Sequence, residues 1–221
     1  MDLGLIIGSL PALARGAAMT LFVSLTAIAL GLVLGMLLSF ARMSENRWLS
    51  AAARFYISAL RGIPILVLLL MVFYLLPAVG LEAPPLVAAI AALTLNTAAF
   101  QAEIYRGGFA VIPPGQIEAA RVLGLGETRI KTRILIPQVI WLVTPALVNE
   151  IIVLLKNSSL VSVIAVTELM RVSQQLVSKT YKPTEVYLAA CLLYVLMNLC
   201  LSALGSRLRR RIGGASAGGR P

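Results

Sequence analysis

Apolar and charged residues are segregated into long alternating blocks along this chain. Nothing charged lies between Arg15 and Arg42, where "GAAMTLFVSLTAIALGLVLGMLLSFA" is continuously apolar or weakly polar. A second block lies between Arg61 and Glu82, and a third between Glu82 and Glu103. A fourth runs from Ile134 to about Leu155 and a fifth from Val186 to Ser206. A helix rises about 1.5 Å per residue and the hydrocarbon of a bilayer is about 30 Å thick, so about 20 residues cross it. Each block has that length. The pattern predicts an all-α, polytopic membrane protein with five transmembrane helices, occupying residues 16–206. Pro64 and Pro145 fall inside blocks and are expected to be tolerated where neighbouring helices satisfy the freed carbonyls. Ahead of the first block, residues 1–15 carry Leu3, Leu5, Ile6, Leu10 and Leu13 and predict a short interfacial helix. They lack the basic start of a cleaved signal peptide.

Lys and Arg set the orientation. Fourteen of them fall on one side: in the loop 42–61, from Arg106 through the central loop, and in the tail after Ser206. The five others are Arg15, Lys156, Arg171, Lys179 and Lys182. The richer side is expected to be cytoplasmic, which puts the N-terminus outside and the C-terminus inside. Residues 207–221 read as a basic, flexible cytoplasmic tail, Gly-rich at its end.

Composition agrees with the pattern. Hydrophobic residues make up 59% of the 221, against about 45–50% in soluble domains. The net charge of +10 sits in loops between apolar blocks, which is topology control and argues against nucleic acid. There is no His, and Cys191 and Cys200 lie nine residues apart, on opposite faces of one helix. They read as small buried apolar residues, with neither a disulfide nor a metal site between them.

The central loop, about 107–137, is too long and too patterned for a simple connection. "PPGQIEAARVLG" reads as a helix begun by Pro113 and Pro114, with Glu118 towards its positive end and Gly124 at the left-handed position past its end. "ETRIKTRILIP" reads as a second helix that Pro137 stops or redirects. Val122, Leu123 and Leu125 form an apolar tip, ringed by Arg121, Arg129 and Arg133, and Ala119 and Ala120 permit close approach of another surface. An apolar knob with a charged rim is a docking surface.

Glu118-Ala119-Ala120, three residues, Gly124, nine residues, and Ile134-Leu135-Ile136-Pro137 resemble the EAA coupling loop of bacterial ABC importer permeases. Ile136 stands where Leu is usual in that family. "SALRGIPILVLLL", "TLNTAAFQAEIYRGG", "LKNSSLVSVIAVTEL" and "SKTYKPTEVY" resemble the polar amino acid subfamily over residues 58–187. The resemblance implies a type I permease fold in the bacterial cytoplasmic (inner) membrane. It implies that Glu118, Ala119, Ala120, Arg121, Gly124 and Leu125 dock on a separate ATPase. It further implies two ATPase subunits that bind ATP and Mg, and an extracytoplasmic substrate-binding protein. This chain itself has no GxxxxGK[ST] phosphate loop and calls for no cofactor of its own. Five spans hardly enclose a path, so a second permease chain, identical or paralogous, is expected.

Polar residues inside spans cost about 2.5–3.5 kcal/mol when charged, so they face cavities or partners. Asn96, Thr97 and Gln101 are candidates in the third span, although Asn96 and Gln101 point about 140° apart. Glu103 and Arg106 are spaced to pair with each other. Glu150 in the fourth span has two readings, substrate contact or a hydrogen bond to a neighbouring helix. Lys156, Asn157, Ser158 and Ser159 interrupt the apolar pattern and predict a broken helix lining a cavity. The substrate-binding candidates are therefore Asn96, Gln101, Glu150, Asn157, Ser158 and Ser159. Relatives with cationic substrates carry Asp where Asn157 stands, so the resemblance favours glutamate or glutamine. Gly31 and Gly35 form a GxxxG packing signal, within the protomer or between protomers. The same residues also admit a secondary amino acid transporter driven by an ion gradient, or a membrane anchor or receptor without transport.

Overall fold

In the computed structural model, residues 3–217 are described, with side chains from residue 4 to 207. Helix α1 is a single helix, Leu3–Arg42, so residues 3–15 continue the first span instead of forming a separate helix. Pro11 lies inside it without breaking it. The chain then turns at Asn46, whose side chain accepts from the N–H groups of Trp48 and Leu49, and α2 runs Arg47–Gly62. The sequence pattern predicts a loop for this stretch.

Helix α3, Ile65–Ala78, follows after a 111° bend. Pro64 is therefore not an interior proline of a straight span; it is the N-cap of α3. A proline at a helix start loses no intrahelical bond, whereas in an interior it would. At 14 residues, α3 rises only about 21 Å. That is short of the hydrocarbon thickness, so the second apolar block is the inner arm of a bent α2–α3 pair and not a straight span. Helix α4, Pro85–Val111, is the centre of the bundle. Ala88, Ala89, Ala92, Ala98, Ala99 and Ala102 on it are all buried, and these small side chains let α1, α3 and α7 approach closely.

Helix α5, Pro114–Val122, starts with Pro113 as N-cap and Pro114 as first residue, as expected. Helix α6, Glu127–Arg129, leads into a π-helical turn, Ile130–Leu135, and then into α7, Ile136–Asn157. Pro137 neither stops nor redirects this helix. The Ile136 N–H bonds five residues back to Lys131, and the widened turn moves the preceding carbonyls away from the proline ring. A 3₁₀ segment, Ser158–Ile164, completes a continuous helical rod over 127–164 and ends at Ala165 in the left-handed conformation. Helix α8, Leu169–Thr180, is amphipathic, and α9 runs Pro183–Ala217. Helix α9 thus extends into the stretch expected to be a flexible tail; residues 218–221 lie outside the described residues.

Among the described residues four helices, or helical rods, are long and apolar enough to cross a membrane, or five if the bent α2–α3 pair is one crossing. Cys191 and Cys200 are free and exposed, not buried. They lie on opposite sides of α9, whose wide exposed surface also carries Leu188, Leu192 and Leu199.

Candidate functional site

One end of the bundle carries the loop that the sequence marks for docking. Gly124 adopts φ +75 and closes α5 in a Schellman turn: Leu125 N–H donates to the Ala120 carbonyl at 3.1 Å and Gly124 N–H to Arg121 at 2.9 Å. The turn presents Val122 and Leu123 at 88% and 79% exposure, which is unusual for large apolar side chains and leaves a protruding knob. Leu125 is half-buried and Ala120 is buried, while Glu118 and Ala119 are exposed. Arg121 Nε meets Glu127 Oε1 at 2.7 Å across the turn. That hydrogen bond holds the Glu127 carboxyl below its usual range and raises the guanidinium's affinity for its proton. At the same end, Glu103 pairs with Arg106 as expected, at 2.9 Å, and also with Arg42 of α1, at 2.9 Å. Lys131 sits 5.9 Å from the centre of the Phe40 ring.

The intramembrane polar residues sort into separate contacts. Asn96 Nδ2 donates to the Leu60 carbonyl at 3.2 Å, near the end of α2. Gln101 Nε2 donates to Thr97 Oγ1 at 3.1 Å, and Thr97 Oγ1 to Glu150 Oε1 at 3.1 Å. Asn96 and Gln101 thus serve different neighbours, as their helical spacing requires. Gln101 Oε1 is buried with no hydrogen-bond partner among the described residues. Arg61, just before the α2–α3 break, stacks 5.3 Å from the centre of the Phe100 ring.

The helix change expected at residues 156–159 is present as the switch from α to 3₁₀ geometry. The two serines turn inward on the backbone: Ser158 Oγ donates to Leu155 at 2.7 Å and Ser159 Oγ to Lys156 at 2.8 Å. The half-buried Asn157 carboxamide has no side-chain partner among the described residues. The GxxxG of α1 packs inside the protomer. A methyl on Gly31 would come within 2.5 Å of Thr97 Cγ2, and one on Gly35 within 2.8 Å of Gln101 Cβ.

At the opposite end lies Glu168, which sequence reading did not single out. It is fully buried, and caps α8 by accepting from Met170 N–H at 2.9 Å and Arg171 N–H at 2.8 Å. Tyr194 Oη of α9 donates to it at 3.0 Å, and Thr20 Oγ1 of α1 lies at 3.2 Å. Thr20 also accepts from Leu169 N–H, and Gly16 leaves no room for a side chain against Leu169. One carboxylate so joins three helices. The available signal was its position, directly before an amphipathic helical pattern, where a carboxylate caps free N–H groups.

Residues 27–214 match the family model described as binding-protein-dependent transport system inner membrane component. The octopine transport system permease protein OccM of Rhizobium radiobacter is 38% identical over 87% of this chain and 82% of its own length. The arginine transport system permease protein ArtQ of Bacillus subtilis is 35% identical over 96% and 97%, and the glutamine permease GlnP of Escherichia coli K12 34% identical over 92% and 94%. The crystal structure of an amino acid ABC transporter with histidines superposes with a TM-score of 0.87, at 36% identity, over 96% of this chain and 99% of that one. The inward-facing MetNI methionine ABC transporter, at 24% identity and a TM-score of 0.74, shares the fold. The chain therefore belongs to the binding-protein-dependent transport system inner membrane components and, within them, to the amino acid ABC importer permeases, multi-pass proteins of the inner membrane.

Proposed function

We propose that this chain is the permease subunit of an ATP-driven importer of a polar amino acid, with glutamine or glutamate favoured. It works with an ATPase and an extracytoplasmic substrate-binding protein, two ATPase subunits and two permease chains forming the assembly. ATP and magnesium bind to the ATPase. The end with the Gly124 turn faces the cytoplasm, consistent with its share of Lys and Arg. Family membership sets aside the gradient-driven transporter and the simple anchor.

One observation carries this reading. The helical rod over 127–164 starts at the knob and contains Glu150 and Asn157. A displacement of Val122 and Leu123 by a closing ATPase is therefore carried along a stiff element to the intramembrane polar residues. The knob must interact differently with the open and closed ATPase for this to do work. In the substrate path, the Glu150 carboxylate suits an α-ammonium group. Arg61 and the free N–H groups that begin α3 at the bend suit an α-carboxylate. The Asn157 carboxamide donates and accepts, which suits a neutral or acidic side chain. Asn96, Gln101, Ser158 and Ser159 support this site through the neighbours they hold rather than by direct reach.

Uptake of labelled glutamine into proteoliposomes, with glutamate, arginine and histidine as competitors, tests the substrate. Competition dominated by arginine contradicts the preference; an Asn157→Asp variant is expected to shift competition towards arginine.

A further inference from the structure

We infer that α2 binds an anionic phospholipid of the phosphatidylglycerol type at the cation-rich end of the bundle. The helix has three distinct exposures. Ala53 and Ile57 are buried against the bundle, and Tyr56 Oη donates to the Leu95 carbonyl at 3.0 Å, which fixes the inner side. Trp48 and Phe55, seven residues apart and so on one line, point away from it at 87% and 77% exposure. Arg47 and Arg54, also seven apart, form a cationic stripe about 100° round from the aromatic one. Neither arginine has an ion-pair partner among the described residues.

The bend places these stripes in the membrane. Because α2 meets α3 at 111°, it lies across the direction of the spans. Its start is tied to the end of α1, where Ser50 Oγ donates to the Arg42 carbonyl at 2.7 Å. The Arg47–Phe55 part of α2 then lies at the headgroup region, with two aromatic rings towards lipid and two guanidinium groups beside them, while its last turn reaches inward to Asn96. An open groove of about 530 Å³ runs along the stripe, lined by Arg47, Ser50, Arg54, Phe55 and Ser58, with Glu45 at its edge. Two cations converge on it, so a phosphodiester is the complementary group, and acyl chains extend over Phe55 and Trp48. A zwitterionic headgroup meets the same arginines with its own positive charge and gains less.

Native mass spectrometry of the whole importer complex, delipidated and re-equilibrated with equal phosphatidylglycerol and phosphatidylcholine, tests this. The unaltered complex is expected to retain phosphatidylglycerol in excess. Arg47→Gln with Arg54→Gln lowers that excess at least about tenfold, and Arg47→Lys with Arg54→Lys preserves most of it. Trp48→Ala with Phe55→Ala lowers retention of both lipids together. An unchanged lipid ratio in the double glutamine variant overturns the proposal. So does loss of a subunit from that variant, since the arginines would then face a protein partner.

Discussion

Thr97 of α4 donates a hydrogen bond to Glu150 of α7 at 3.1 Å, the direct polar bridge between the central helix and the rod that leads to the knob. Removing the hydroxyl leaves a carboxylate inside the bundle without that donor, at a cost of about 1–3 kcal/mol. Thr97→Val is therefore expected to lower the thermal midpoint of the detergent-solubilised complex. Glu150→Gln still accepts from Thr97 and should leave the midpoint nearly unchanged while raising the KM for uptake at least about tenfold through loss of a charged substrate contact. An unchanged KM removes Glu150 from the substrate path.

Gly107 and Gly108 are neighbours with opposite surroundings. A methyl on Gly108 collides with the side chains of Val143 and Val139 on α7, whereas nothing lies within 4 Å of one on Gly107. Gly108→Ala should destabilise by about 1–3 kcal/mol, and Gly107→Ala should be neutral or stabilise by up to about 1 kcal/mol. Thermal midpoints of the two variants check the contact between α4 and α7.

Glu168 makes stability depend on pH. It lies between spans, and burial pushes its carboxyl above the ordinary value of 4.5, against the hydrogen bonds from Met170, Arg171, Tyr194 and Thr20 that favour its charge. The folded state therefore binds this proton more tightly than the unfolded state. Its contribution is fully present below pH 4.5 and is lost as pH rises through the folded value. Thermal midpoints measured upward from pH 4.5 should fall over that range, and Glu168→Gln should flatten the fall.

The membrane-crossing helices were legible because charge and apolarity are segregated, and the Gly124 turn because only one backbone conformation fits a helix end followed by that spacing. Helix α2 was not legible as a helix. Arg47, Arg54 and Arg61 recur every seven residues, which as plain composition is a charged loop and as periodicity is one face of a helix. The bend at Pro64 was visible as a proline, but tolerance inside a straight span was the wrong reading, because α3 alone is too short to cross. Continuity through Pro137 depends on a π turn, which has no distinctive local pattern. Cys191 and Cys200 were misplaced because hydrophobic character does not separate a buried face from a lipid-facing one. Ser158 and Ser159 spend their hydroxyls on carbonyls of their own helix, which residue type and spacing do not show. Glu168 was missed because its partners, Thr20 and Tyr194, lie 148 and 26 residues away in the chain.

Transmission through the knob is the central claim. Simultaneous measurement of substrate uptake and ATP hydrolysis in proteoliposomes tests it most directly, on the complete importer carrying Gly124→Trp or Glu118→Lys. With expression and membrane insertion normal, uptake and coupled hydrolysis are predicted to be abolished together in both variants. Uptake that persists at the unaltered rate in either one contradicts transmission through this turn.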